Sequence, residues 1–131
     1  STAGVRLLAG FPSRDEARSI CQGKPPQAVE RMMLLHAKLG EGILDHLRLF
    51  AAMISAADPG EFDSDHVPER GRAIFPAQCW KDAVCAEIVA QAARRGRVMV
   101  VTGCGHTDYG LGIPQRVSAL LREAAAPELE T

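Results

Sequence analysis

The stretch Arg97-Val98-Met99-Val100-Val101-Thr102-Gly103-Cys104-Gly105-His106-Thr107-Asp108-Tyr109-Gly110-Leu111-Gly112-Ile113-Pro114 decides how the rest of the chain is read. It opens on a continuous apolar run, the pattern of a strand covered on both faces. Its middle is a glycine-rich loop, and Pro114 then opens Pro114 to Arg122, where proline suits the first turn of a helix. Upstream lies Ile74 to Arg95, rich in alanine, with Phe75, Cys79, Ala83, Ala86, Ile88 and Val89 as its apolar face. Arg94 and Arg95 before Gly96 match the negative end of a helix dipole. The order is helix, strand, loop, helix.

Further out, Gly4 to Gly10 is a second short apolar run closed by glycine, which predicts another buried strand. Ser13-Arg14-Asp15-Glu16 is a capping box that opens a helix. Gly23-Lys24-Pro25-Pro26 ends that helix, because glycine supplies a left-handed cap and proline cannot continue the ladder. From Gln27 to Ala57 apolar residues recur at helical spacing (Val29, Met32, Met33, Leu35, then Leu44, Leu47, Leu49, Phe50, Met53, Ile54) and are interrupted at Gly40 and Gly42. Two helices, or one broken helix, follow from that pattern. Asp58-Pro59-Gly60 stops it, and residues 58–73 read as a polar loop within one domain, 1–131, whose signature loop is 103–114. Ala124-Ala125-Ala126-Pro127 marks a fraying tail. The predicted fold is α/β, with a mainly parallel sheet flanked by helices. Two parallel strands make a poor sheet, so the domain reads as incomplete, its sheet completed by further residues, a second copy or a larger protein complex.

Composition narrows the function. The chain has 131 residues, 47% apolar and 24% charged, enough to bury a core. Its formal charge of -1 and 5% aromatic content give no electrostatic or stacking basis for a nucleic-acid partner. No window is apolar for long enough to predict a transmembrane segment. Ser1-Thr2-Ala3-Gly4 lacks the plan of a signal peptide. Cys21, Cys79, Cys85 and Cys104 lack Cys-x-x-Cys spacing and read mostly as small core residues. No Gly-x-Ser-x-Gly elbow or Walker loop occurs.

The loop beyond the second strand is where open α/β sheets bind ligands. Gly103, Gly105, Gly110 and Gly112 permit positive φ and close backbone approach, while His106, Asp108 and Tyr109 offer an imidazole, a carboxylate and a phenol. Such a loop suits a small molecule or a metal; its structural alternative is a tight turn whose His and Tyr bond to its own backbone. His36 and His46, ten residues apart, fall on different helical faces and read as surface residues, as do Asp63, Asp65 and His66. Asp82 could orient the ring of His106, although an acidic residue on a helix is more often solvated. For Cys104, core packing outweighs a thiolate role.

Three segments carry a resemblance: Phe75-Pro76-Ala77-Gln78-Cys79-Trp80-Lys81-Asp82-Ala83-Val84-Cys85-Ala86, then Val100 to His106, then Gly110-Leu111-Gly112-Ile113-Pro114-Gln115-Arg116. In order and spacing they resemble the ChaN family of haem-binding uptake proteins in the Tiki superfamily. That family typically shows a Gln-x-x-Trp-Asp-x-x-Met-Ala helix, a Gly-Asn-Gly-His loop and a Gly-x-Gly-Val-Pro-x-Arg helix start. Residues 4–22 resemble its strand and helix with an Asn-x-Pro-Arg turn. Cys104 stands for the usual Asn, Cys85 for Met and Ile113 for Val, Lys81 is an extra residue, and the family's Gly-Glu-x-His strand has no match here.

The resemblance implies a non-enzymatic domain that binds haem or a related tetrapyrrole. His106 and Tyr109 would be ligands, Gly103, Gly105, Gly110 and Gly112 would shape the loop, Trp80 would line the cleft and Arg116 would face the propionates. Trp80 has an alternative role packed between helix and sheet. The resemblance leaves two other classes open. One is a degenerate module acting as a structural or auxiliary subunit of a larger thylakoid or envelope membrane complex. The other is a metal-dependent hydrolase, the metal unknown. It points to a chloroplast protein, or alternatively to the bacterial cell envelope.

Overall fold

The structure, a computed structural model, describes residues 4–63 and 65–125. Among the described residues there are five α-helices: α1 (Arg14–Ile20), α2 (Pro26–Leu39), α3 (Gly42–Ser55), α4 (Glu69–Ala93) and α5 (Ile113–Ala125). α4 is the axis, and α1, α3 and α5 lie against it most extensively.

Local chemistry accounts for most helix ends. The Ser13 side chain accepts the Glu16 amide at 3.1 Å, as a capping residue should. Glu16 does not return the bond: its carboxylate accepts the indole N–H of Trp80 at 3.0 Å and ties α1 to α4. Gly23 takes φ +73° after α1, and Pro26 opens α2. The break at Gly40 and Gly42 separates α2 from α3 as their spacing predicts. α4 begins at Glu69, within the stretch expected to be loop, because Pro68 and Glu69 are good helix starters and Gly71 faces inward. Of the predicted fraying tail, Ala124 and Ala125 are still helical and the rest lies outside the described residues, as do Ser1, Thr2 and Ala3.

The core has three parts. Ala17, Ile20, Met32, Phe75, Cys79 and Trp80 join α1, α2 and α4. Leu35, Ala83 and Ala119 join α2, α4 and α5, while Cys85, Ala86 and Ile113 join α4 to α5. Trp80 is therefore an interhelical core residue, not one packed on a sheet. Cys79 and Cys85 are core residues as expected, but Cys21 and Cys104 are exposed. Two surface ion pairs, Arg31 with Glu87 and Lys38 with Glu123, fasten α2 to α4 and α5.

The α/β expectation is overturned: the described residues contain helices and no strand. Both predicted strands, 4–10 and 97–102, are irregular segments without a ladder. The reason lies in what defines a strand. A strand needs a neighbour to satisfy its backbone, and two isolated parallel segments would leave faces and edges uncovered. The apolar runs accordingly stay on the surface, with Leu7 and Met99 each 88% exposed and Val101 90% exposed.

Candidate functional site

Three helices each carry one polar residue on their apolar stripe. His46 lies on α3 with Leu49 and Phe50, Asp82 on α4 with Cys79, Ala83 and Ala86, and Arg116 on α5 with Ile113 and Ala119. Packing these stripes together puts all three side chains completely out of solvent. Burial of that kind demands partners. Arg116 Nη1 donates to the Gly112 carbonyl at 2.9 Å and lies 3.3 Å from His46 Nδ1. A guanidinium only donates, so His46 Nδ1 accepts and the ring proton sits on Nε2. That Nε2 faces Asp82 Oδ2 at 3.4 Å.

The other carboxylate oxygen, Asp82 Oδ1, lies 2.5 Å from His106 Nδ1. His106 reaches it from the 103–112 loop, which is two short 3-10 turns, Cys104–His106 and Asp108–Gly110. The turns are closed by His106 N to Gly103 O at 3.1 Å and Gly110 N to Thr107 O at 3.1 Å. Gly112 then brings the chain back against its own beginning. Its φ is +72°, and a Cβ there would sit 2.5 Å from His106 O and 3.0 Å from Asp82 Oδ2. Only glycine satisfies both demands. Gln78 Nε2 donates to Gly105 O at 3.0 Å and lies 3.0 Å from His106 Nδ1, and the His106 ring leans on Phe11 with centroids 4.6 Å apart.

Electrostatics follow from this burial. Desolvation, reinforced by Arg116, holds the His46 ring at about 3 and the His36 ring at about 4, so both are neutral at physiological pH. The 3.4 Å approach of His46 to Asp82 is therefore not an ion pair, and it is not a hydrogen bond either. Burial raises the Asp82 carboxyl, with His106 and Arg116 working in the opposite direction. Burial also pushes the Cys79 thiol up to about 12, which makes it unreactive packing.

The sequence-predicted residues are only partly assembled. His106 occupies the loop and is 18% exposed, with its Nδ1 turned inward. Gly110 and Gly112 take positive φ, whereas Gly103 and Gly105 do not; Gly105 is instead pressed close to Met53. Tyr109 is 85% exposed in a left-handed conformation, φ 57°. It borders an open cleft of about 410 Å³ with Arg48, Leu49, Leu111, Asp45 and Asp58, which His106 does not line. Trp80 is buried in the core, and Arg116 is wholly internal.

Asp82 is not a solvated helix residue, and His46 is not a surface one: both are fully buried. His36, expected at the surface, is partly buried, with its Nε2 enclosed. Asp63, by contrast, stays exposed and accepts from the Asp65 and His66 amides and from His66 Nδ1. The missed signal was spacing. His46 stands three and four residues before Leu49 and Phe50, so a histidine within that stripe points inward with them.

An iron porphyrin asks for a nitrogen lone pair, an apolar surface against its ring and cations toward its carboxylates. His106 can meet the first need: its Nδ1 lies 2.5 Å from Asp82 Oδ1, and no hydrogen bond engages Nε2 among the described residues. Phe11, 41% exposed, and Met53, 45% exposed, lie beside the loop and offer apolar surface. Arg116 does not meet the third need from inside the core. Among the described residues, no three or more His, Cys, Asp or Glu side chains are grouped to hold a bare metal ion, and no helix is long and apolar enough to cross a membrane.

Fold and site together define a helical domain that presents one imidazole, backed by a buried carboxylate, on a glycine-shaped loop. The family model described as haem-binding uptake, Tiki superfamily, ChaN, matches residues 1–117, and the chain belongs to that family. No curated protein and no solved structure matches the chain.

Proposed function

We propose that the chain binds haem or a related tetrapyrrole without catalysing a reaction, with His106 Nε2 as the protein's donor to iron. One observation supports this most: His106 Nδ1 lies 2.5 Å from a fully buried carboxylate, which leaves Nε2 as the free nitrogen. Carboxylate-backed imidazoles are the usual form of a histidine that ligates a metal. Bound haem would supply the iron that takes this lone pair. The chain's own residues hold the ring, shape the loop and offer Phe11 and Met53 as apolar contact. Tyr109 is a second donor on the same loop.

The test is a haem titration followed by absorbance, with His106→Ala and Tyr109→Phe in parallel. Saturable binding with a Soret band, weakened at least tenfold by His106→Ala, is the expected result. A titration curve that is linear and identical in all three proteins removes the reading.

The exposed apolar segments around Leu7 and around Met99 to Val101 favour a second reading, an auxiliary module that docks on a larger protein assembly. Under it the purified chain self-associates or recovers a partner on pull-down, and a stable monomer that binds haem counts against it.

A further inference from the structure

We infer that Asp82 is a positioning residue that fixes the tautomer of His106: it keeps the proton on Nδ1 and so keeps the Nε2 lone pair available to a ligand. The inference deepens the haem-binding reading and rests on it for the identity of the ligand, though not for the behaviour of the ring.

The geometry sets two forces against each other at one atom. Asp82 Oδ1, at 2.5 Å, accepts a proton from Nδ1. Gln78 Nε2, at 3.0 Å, is a donor, and its amide cannot turn over without losing its bond to the Gly105 carbonyl. Gln78 alone would therefore ask Nδ1 to accept, which would move the ring proton to Nε2 and block it. The carboxylate is closer and makes the stronger, charge-assisted bond, so its preference prevails. Behind it, His46 Nε2 lies 3.4 Å from Asp82 Oδ2 without a hydrogen bond, and Arg116 keeps the His46 proton on that nitrogen. Gly112 leaves the space in which carboxylate and loop meet. Three helices thus converge on a single proton position in the loop.

The tautomer can be read directly from imidazole ¹⁵N shifts of the ligand-free protein at pH 8, where an ordinary imidazole is neutral. The wild type is expected to show His106 protonated at Nδ1. Asp82→Ala is expected to invert it, because Gln78 becomes the remaining partner, and to weaken haem binding tenfold or more. Gln78→Ala is expected to keep the wild-type tautomer. A wild-type ring protonated at Nε2 overturns the inference whether or not any variant folds. So does an Asp82→Ala protein that keeps the Nδ1 proton, or one that binds haem as tightly as wild type. If the tautomers behave as expected but the wild type takes up no haem, the positioning role of Asp82 stands and the haem-binding reading falls.

Discussion

Gly112 concentrates the demands of the site into one position. Its φ of +72° excludes a relaxed L-residue, and the nearest atom to an added Cβ is a backbone oxygen, His106 O, at 2.5 Å. A flexible side chain could swing aside, but a carbonyl fixed in a closed turn cannot. Gly112→Ala should therefore destabilise the fold by at least ~2 kcal/mol and displace His106 from Asp82. Urea unfolding measures the first effect and the His106 ¹⁵N shifts the second. By contrast, Gly103→Ala, where φ is ordinary and nothing lies near the added methyl, should change stability by less than ~1 kcal/mol. Equal losses at both positions would show that the loop does not close as described. At this scale the site was half legible in the sequence. His106 could be singled out from residue types, whereas Asp82 reads from its type as more often solvated than as the group that orients His106, and the burial of Asp82, His46 and Arg116 could not be inferred from polarity, which argues for the surface. It was available only from their register, since each stands three or four residues from buried apolar neighbours on its own helix.

Between elements, α4 and α3 come close where Gly71 meets Ala51. A Cβ on Gly71 would lie 2.8 Å from Ala51 Cβ and 3.2 Å from Ala51 Cα, so the two helices meet through their smallest side chains. Gly71→Ala would normally gain helix propensity. Here the added methyl has to push two helix backbones apart, and overpacking of this kind costs about 1–3 kcal/mol. A lower urea midpoint with an unchanged slope is the expected outcome; an equal or higher midpoint would mean the helices are not in contact. The same elements show why helices were legible and strands were not. Helix signals are local: the Ser13 cap, the prolines at 25 and 26, the break at Gly40 and the three-and-four spacing all act within one segment. A strand is completed only by a neighbour, and neither Gly4 to Gly10 nor Arg97 to Thr102 announces in its own residues whether one exists. Their apolar runs predicted burial, and the described residues supply nothing to bury them.

Across the whole molecule, the buried polar cluster makes stability depend on pH. His46 titrates near 3 and His36 near 4 in the fold, against 6.5 for an ordinary ring, because burial and Arg116 oppose their protonation. Below pH 6.5 the unfolded chain takes up protons that the folded chain refuses, so stability is full above that pH and falls as pH drops toward 3. His46, with no exposure, carries the larger part, on the order of 5 kcal/mol across the window at ~1.4 kcal/mol per pH decade. Asp82 acts with the opposite sign. Its carboxyl is raised by burial, so the fold gains stability from its protonation as pH falls and loses it as pH rises through the folded value. Two rings oppose one carboxyl, so the histidines set the net slope. The urea midpoint should therefore hold from pH 7.5 to about pH 6.5 and fall from there to pH 4.5. His46→Leu, which removes a buried base and fits an apolar stripe, should flatten that decline even if it lowers the midpoint at pH 7.5. A wild-type midpoint that does not change over this range would show that His46 is protonated in the fold or open to water, and with it would go the buried chain of contacts that runs from Arg116 to His106.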